Sequence, residues 1–283
     1  MSTLQNKIDF AVVLRVDHAN PNGDPLNGNR PRTDYNGFGE ITDVCLKRKI
    51  RDRLQELGQA IFVQSNDRKN DSAKSLRERA EKILGSKLSS TDQTLLAASE
   101  KWFDVRAFGQ IFPFKKKAKA KDQEGNGEGI SIPIRGPVSI TSAFSVQPVQ
   151  GEITSTQITK SVNLEGDSDV KRGPDTIGMK HRVDHGIYVF FGAMNPQLAE
   201  KTLFSDDDAS AIKQVLPRMF ENDASSARPE GSMEVLKVIW WQHSCKSGQY
   251  SSAKVHRSLA VRPDGGIELT PLKGLDPEVI DGF

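Results

Sequence analysis

Apolar and β-branched residues dominate Ile8-Asp-Phe-Ala-Val-Val-Leu-Arg-Val-Asp17, and a run of that kind predicts a buried central strand. After a long loop, apolar positions return at Leu46, Ile50, Leu54 and Leu57. That helical stripe predicts a helix from about Ile41 to Leu57, with Thr42 as N-cap and Asp43 in the first turn. Stretches rich in Leu, Ala, Glu and Lys predict two more helices, Asp71 to Leu84 and Thr91 to Lys101, divided by Gly85. Trp102 to Phe108 reads as a short strand or turn. Pro137 to Val146 alternates and ends at Pro148, and Gly186 to Gly192 is a further β run. The interval between them, Pro148 to His185, is rich in Thr, Gly and charge and predicts a protruding ribbon or arm. Ala209, Ile212, Val215, Leu216 and Met219 mark a helix over Asp206 to Phe220 capped by Ser205, and Met233 to Gln242 supplies a fourth strand. Without the insertions the order is strand, helix, strand, strand, helix, strand. This is an α+β chain in the ferredoxin-like order that RRM domains share.

At 283 residues the chain is long enough for one sizeable core with insertions. Hydrophobic content of 36%, charged content of 27% and a mean hydropathy of -0.51 point to a soluble globular protein and away from disorder or a membrane class. The apolar run Phe10 to Leu14 is too short for a signal or a span. Two cysteines, Cys45 and Cys245, make no disulfide framework, so a reducing cytoplasm is the expected compartment. A net charge of +2 says little by itself, because a nucleic-acid binder is recognised by where its charge lies. Lys47, Arg48, Lys49, Arg51 and Arg53 crowd one predicted helix, and Lys115, Lys116, Lys117, Lys119 and Lys121 crowd the segment Lys115 to Gly129, which is expected to be flexible. Lys171, Arg172, Lys180, His181 and Arg182 flank a glycine-containing stretch, while Asp206, Asp207 and Asp208 gather the opposite sign elsewhere.

Between the first strand and the basic helix lies Asn20-Pro-Asn-Gly-Asp-Pro-Leu-Asn-Gly-Asn-Arg-Pro-Arg32. Gly23, Gly28, Gly37 and Gly39 permit backbone conformations that aim successive N–H groups at one anion, and Arg30 and Arg32 can fork onto phosphate oxygens. A solvated surface loop is the alternative.

Several segments, taken jointly, resemble one family. They are Asn20-Pro-Asn-Gly-Asp24 with Gly28-Asn-Arg-Pro-Arg32, Ile41-Thr-Asp-Val-Cys-Leu-Lys-Arg-Lys-Ile-Arg51, Asp104-Val-Arg-Ala-Phe-Gly109, Arg135-Gly-Pro-Val-Ser-Ile140, Gly178-Met-Lys-His-Arg-Val183 and Ala227-Arg-Pro-Glu-Gly231. The chain is similar to the backbone subunits of the type I-C CRISPR Cascade complex, in the repeat-associated (RAMP) superfamily, from the first strand to the fourth. The resemblance implies a crRNA-binding protein without a catalytic role, which polymerises head to tail along the spacer of the guide and presents it to target DNA. Its implied partners are crRNA, target DNA through guide pairing, identical subunits, and the crRNA 5′-end-binding, large and small subunits of Cascade. It also implies an RRM-like palm with a helical fingers insertion over residues 59–101 and a β-hairpin thumb over 148–185.

A protein that coats a guide of any sequence must hold backbone charge and ribose rather than base edges. On that ground Asn20, Asn22, Gly23, Arg30 and Arg32 of the loop and Lys47, Arg48 and Arg51 of the helix are the expected phosphate contacts in the palm. In the arm, Lys160, Lys171, Arg172, Lys180, His181 and Arg182 are candidate phosphate ligands and Met179 a wedge against a base, with packing on a neighbouring subunit or a core as the alternative for Met179. Arg106 and Arg135 could reach RNA or pair with Asp104. No RNP-type Gly-Phe-aromatic signature falls on the strands, so base stacking on the sheet is not expected. His181 and His185 have metal-ligand spacing, but Gly178 and Gly186 argue against a helix there, and structural histidines are the simpler reading. No metal or cofactor is expected. The rival function is a metal-dependent RNA endonuclease, since type III relatives of the superfamily cut RNA with an aspartate in a comparable loop; Asp24 and Asp34 are the candidates.

Overall fold

The computed structural model describes residues 2–115, 129–160 and 176–283. Ile8–Ala19 forms β1, buried from Ile8 to Leu14. Covering on both faces explains why its apolar run does not alternate. The loop after it contains a short hairpin, β2 (Gly23–Asp24) with β3 (Arg30–Pro31), and leads into β4 (Phe38–Ile41). Thr42 caps α1 (Asp43–Glu56), accepting from the Cys45 N–H at 3.3 Å, and Leu46, Ile50 and Leu54 form its buried stripe. Ser75 and Ser90 cap α2 (Leu76–Leu84) and α3 (Thr91–Lys101). The first of these starts at Leu76, not Asp71, because the Asp71 carboxylate folds an irregular turn onto the Ala73 N–H and Arg79.

Trp102 to Phe108 departs from its expected strand or turn: Phe103–Phe108 is a short helix, α4. The misleading pattern has a physical origin. Phe103 and Ala107 enter the main core while Trp102 and Val105 enter a second one, so an element wedged between two cores is apolar on two sides. That second core also draws Phe112, Ile132 and Ile134 from the hairpin β5 (Gly109–Lys115) with β6 (Gly129–Arg135), which lies beyond Lys101. The lysine-rich stretch over 116–128 lies outside the described residues.

The strand expected over Pro137 to Val146 is two: β7 (Val138–Ile140) and β8 (Ala143–Pro148). Thr141 divides them, its hydroxyl accepting from the Phe191 N–H at 3.1 Å and its own N–H donating to the Phe191 carbonyl. β9 (Ile153–Lys160) then pairs with the far half of β10 (Thr176–Met194), from Ile153↔Val183 to Lys160↔Thr176, and the near half of β10 joins the main sheet. The chain continues through α5 (Pro196–Thr202) and α6 (Asp206–Val215), where Ser205 and Asp208 form a capping box, to β11 (Met233–Gln242). A tail of α7 (Ser252–His256), β12 (Leu259–Val261), β13 (Ile267–Leu269) and β14 (Glu278–Asp281) completes the fold.

The main sheet is antiparallel in the order β14-β11-β1-β10-β8-β4. Counted by the four strands read from sequence, that is fourth, first, third, second. Phe10, Val12 and Leu14 of β1 meet Leu46, Ile50 and Leu54 of α1 and Ile212 of α6 on one face. Ala11 and Val13 meet Ile239, Trp241, Val255, Leu259 and Leu275 on the other, so the tail covers the second face. A polar cluster fastens this covering: fully buried Asp9 accepts from His243 Nε2 at 2.9 Å and lies 3.0 Å from Lys7 Nζ and 3.4 Å from His256 Nε2. Among the described residues no helix is long and apolar enough to cross a membrane.

Candidate nucleic-acid interface

The Asn20 to Arg32 loop is held by its own polar side chains. Asn20 is buried and donates Nδ2–H to the Asn29 carbonyl at 2.7 Å, closing the hairpin, and its backbone N–H reaches the Ala227 carbonyl. Asn22 Oδ1 accepts from both the N–H and the hydroxyl of Thr42 at 2.9 Å, which ties the loop to the first turn of α1. A Cβ on Gly23 would stand 2.6 Å from Asn29 Oδ1, so no side chain fits there. Arg32 lies 3.3 Å from Asp24, and Arg30 is close enough to the arm to disfavour charge on His181.

The loop, α1 and the segment before β11 enclose a cleft of about 360 Å³. Four cations line it, Arg48, Lys49, Arg68 and Arg228, interleaved with Asp52, Asp67 and Asp223. Arg48 donates to Asp52 at 3.2 Å and approaches Asp67 at 3.6 Å. Lys49 is buried against Asp223, which also receives Arg228 at 3.2 Å, and Arg68 donates to the Asn222 carbonyl at 2.6 Å. Asp67 is exposed, and the Ser65 hydroxyl together with its own N–H holds its carboxyl below the usual range. Burial pushes the Cys45 thiol up, so it stays protonated in the wall. An incoming phosphate can take the Arg48 fork from exposed Asp67 at low cost, whereas Asp52 and Asp223 are largely buried behind the cations.

Of the residues singled out from sequence, Asn22, Gly23 and Arg48 line this cleft, with Asn20 beneath it. Lys47 is not among the residues that line it and pairs with Asp43 at 2.9 Å on another face of α1. Arg51 points inward, donating Nε–H to Asp104 at 2.9 Å over the Phe108 ring. Arg106 is bidentate to Asp208 at 2.9 and 2.7 Å, so its partner is that residue and not Asp104. Arg135 lies at the opposite end of the sheet with Lys7 and Lys246. Along the arm, Met179, Lys180 and Arg182 are exposed, while His181 is buried against the Ser155 hydroxyl at 2.7 Å, and burial followed by the Arg30 charge lowers its pKa. The Lys160 backbone belongs to β9, and Lys171 and Arg172 lie outside the described residues. Lys49, Arg68 and Arg228 went unchosen. Lys49 stands in the basic helix and Arg228 in the Ala227 to Gly231 segment, which were usable signals; Arg68 has none in its polar turn.

His185 is bonded to Asp17 at 2.7 Å and His18 to Asp184 at 3.3 Å, and among the described residues no three His, Cys, Asp or Glu side chains converge as metal ligands. Asp34 accepts from the Asn36 and Phe38 N–H groups at 2.8 and 2.9 Å; Asp24 caps Leu26 and faces Arg32. Both are engaged as turn residues.

Set beside known proteins, residues 6–276 match the family model described as CRISPR-associated protein Cas7. A curated relative from Haloferax volcanii, CRISPR-associated protein Cas7, is 28% identical over 296 residues, covering 99% of this chain and 82% of the relative. Among solved structures, a chain of a pre-nicking CRISPR RNA-guided surveillance complex is 13% identical over 83% of this chain and 78% of its own, with a TM-score of 0.45. A chain of the Type III-B Cmr-beta bound to cognate target RNA is 11% identical over 82% of this chain and 60% of its own, with a TM-score of 0.41.

Proposed function

The chain belongs to the CRISPR-associated Cas7 family, and from that premise we propose that it is a non-catalytic, crRNA-binding backbone subunit of a surveillance complex. In this reading copies follow one another head to tail along the guide spacer and leave its bases free to pair with target DNA, in the cytoplasm and beside the other subunits of Cascade. The segments that resemble type I-C backbone subunits support that subtype. The observation that carries the reading is the convergence of Arg48, Lys49, Arg68 and Arg228 beside the Asn22 and Gly23 backbone. Such a set grips phosphates and ignores base identity.

The strand order fourth, first, third, second, with α1 and α6 on one face, supports the ferredoxin-like, RRM-like palm. The second core supports helical fingers that run past residues 59–101 to the β5–β6 hairpin, and the β9–β10 ladder supports a thumb within 148–185. The thumb would bring Met179, Lys180 and Arg182 to the guide, and Lys160, Lys171 and Arg172 are proposed as further contacts to it. We assign Asn20, Asn22, Gly23, Arg30 and Arg32 to the loop grip and Lys47 and Arg48 to the helix. Arg51, Arg106 and His181 position these elements from within. The turn roles of Asp24 and Asp34 lend the endonuclease alternative no support.

The test is binding to guide RNAs of unrelated sequence across a salt series. Wild type is expected to bind them alike, and Arg48→Ala with Arg228→Ala to flatten the salt dependence by about two released ions. An unchanged slope would remove the cleft from the interface. Mg²⁺-dependent cutting of the RNA that is lost in Asp34→Ala or Asp24→Ala would overturn the non-catalytic reading.

A further inference from the structure

Two grooves of opposite charge occupy opposite ends of β1. At one end, Ile8 pairs with Gln242 and Met194, and Lys7, Arg135 and Lys246 line a groove of about 380 Å³ beside Asn195 and Leu198; Lys7 pairs with Asp9 at 3.0 Å and Lys246 with Glu200 at 2.6 Å. At the other, Val16 pairs with Met233, and Glu221, Glu230 and Glu234 line a groove of about 270 Å³ over Phe220 and Phe283. Arg218 is the one cation in that lining; it stacks on the Phe283 ring and pairs with Glu221 at 3.4 Å, while Glu234 pairs with Arg15 at 3.0 Å. Eight strand residues separate the ends by roughly 27 Å. Arg135 and Glu230 are exposed and make no ion pair among the described residues.

The two grooves stand at opposite ends of a rigid sheet and cannot meet within one molecule, but a translated second copy brings them together. We propose that the basic groove of Lys7, Arg135 and Lys246 receives the acidic groove of Glu221, Glu230 and Glu234 from the next copy of this chain. The contact is heterologous, so it leaves one groove open at each end and repeats without closing. Its charges suppress the reversed pairings, in which like would face like. The apolar floor of Phe220 and Phe283 gives the acidic side area to bury, and its carboxylates repel a phosphate backbone. The acidic groove adjoins Arg228, because Glu230 follows it by two residues, so each junction falls beside the cleft proposed to hold RNA. The inference rests on the guide-binding reading for repetition along one strand.

Charge reversal tests it. Lys246→Glu and Glu230→Lys are compared, singly and together, on an RNA long enough for one copy and on one long enough for several, by fluorescence anisotropy and sedimentation. Each single variant is expected to bind the short RNA as wild type does, and to require roughly tenfold more protein to fill the long one. The double variant restores a complementary pair at every junction and is expected to recover most of that loss. Singles that fill the long RNA like wild type, or a double variant no better than the singles, would overturn the contact. Weakened short-RNA binding in Lys246→Glu would assign the basic groove to RNA and overturn it too. Failure of wild type on the short RNA would instead sink the guide-binding reading, and the inference with it.

Discussion

Arg51 and Arg48 stand one turn apart on α1, and their surroundings give them different work. Arg48 keeps an exposed guanidinium at the cleft, whereas the Arg51 side chain is 12% exposed and its partner Asp104 1%. Asp104 also accepts the Phe62 and Val63 N–H groups at 2.7 and 3.0 Å, so one carboxylate joins α1, α4 and the chain between α1 and α2. Removing one member of a buried pair leaves the other charge stranded, at about 3–5 kcal/mol. Arg51→Ala is expected to lower stability by that order in chemical denaturation, and Arg48→Ala by less, because its partner Asp52, though also buried, keeps Arg68 at 3.9 Å. Asp9 makes a second prediction. Burial raises its carboxyl pKa, but donors from His256, Ser252, His243 and Lys7 outweigh burial and hold it well below the ordinary carboxylate range. A depressed folded-state pKa gives stability that is present above the unfolded value near ~3.9 and lost as the pH falls toward the folded one. Denaturation midpoints are expected to fall below about pH 4, and Asp9→Asn to weaken that fall while lowering stability at neutral pH. An unaltered pH profile in the variant would contradict the role of the cluster. The difference between the two arginines was not legible in sequence: both sit in one basic run, and the burial of Arg51 depends on a partner 53 residues away.

At the scale of elements, legibility followed the strength of local signals. Thr42, Ser205 and the apolar stripes placed α1 and α6 because caps and periodicity belong to the segment itself. β11 matched its expected span, Met233 to Gln242, because a dense apolar run between polar turns has one reading. The helix α4 was misread because it serves two cores, and β10 was seen only at Gly186 to Gly192 because its far half, in the arm, has no core face to show. The tail gave no pattern, its strands being three or four residues long. Yet its Val255 is fully buried against the second face of the sheet. Val255→Asp would place a charge there without a partner, and is expected to cost several kcal/mol. The measurement is hydrogen exchange: protection over α7 to β13 should fall to the level of local opening before β1 loses its own. Simultaneous loss throughout would mean that the tail and the main sheet unfold as one unit.

For the whole molecule, the tail decides which surfaces remain for RNA. Val255, Leu259 and Leu275 of the tail cover Ala11, Val13, Ile239 and Trp241 on the second face of the sheet, so stacking of bases there has no platform. The absence of an RNP signature on the strands agrees with that. In the proposed reading the RNA lies on the cleft between the loop, α1 and the Asn222 to Arg228 segment, and on the β9–β10 ladder. Both lie toward one end of β1, a placement suited to a subunit that meets a strand crossing it and hands that strand to the next copy. That the loop and the basic helix adjoin was legible in sequence; that Arg228 joins them in one cleft was not, because the Ala227 to Gly231 segment reaches it only through the return of the chain into β11. The central claim, that copies assemble head to tail on guide RNA, is tested most directly by native mass spectrometry of the protein on RNAs of increasing length. The expected result is a copy number that rises in even steps with RNA length and shows no upper limit. A complex fixed at two copies whatever the length would contradict it.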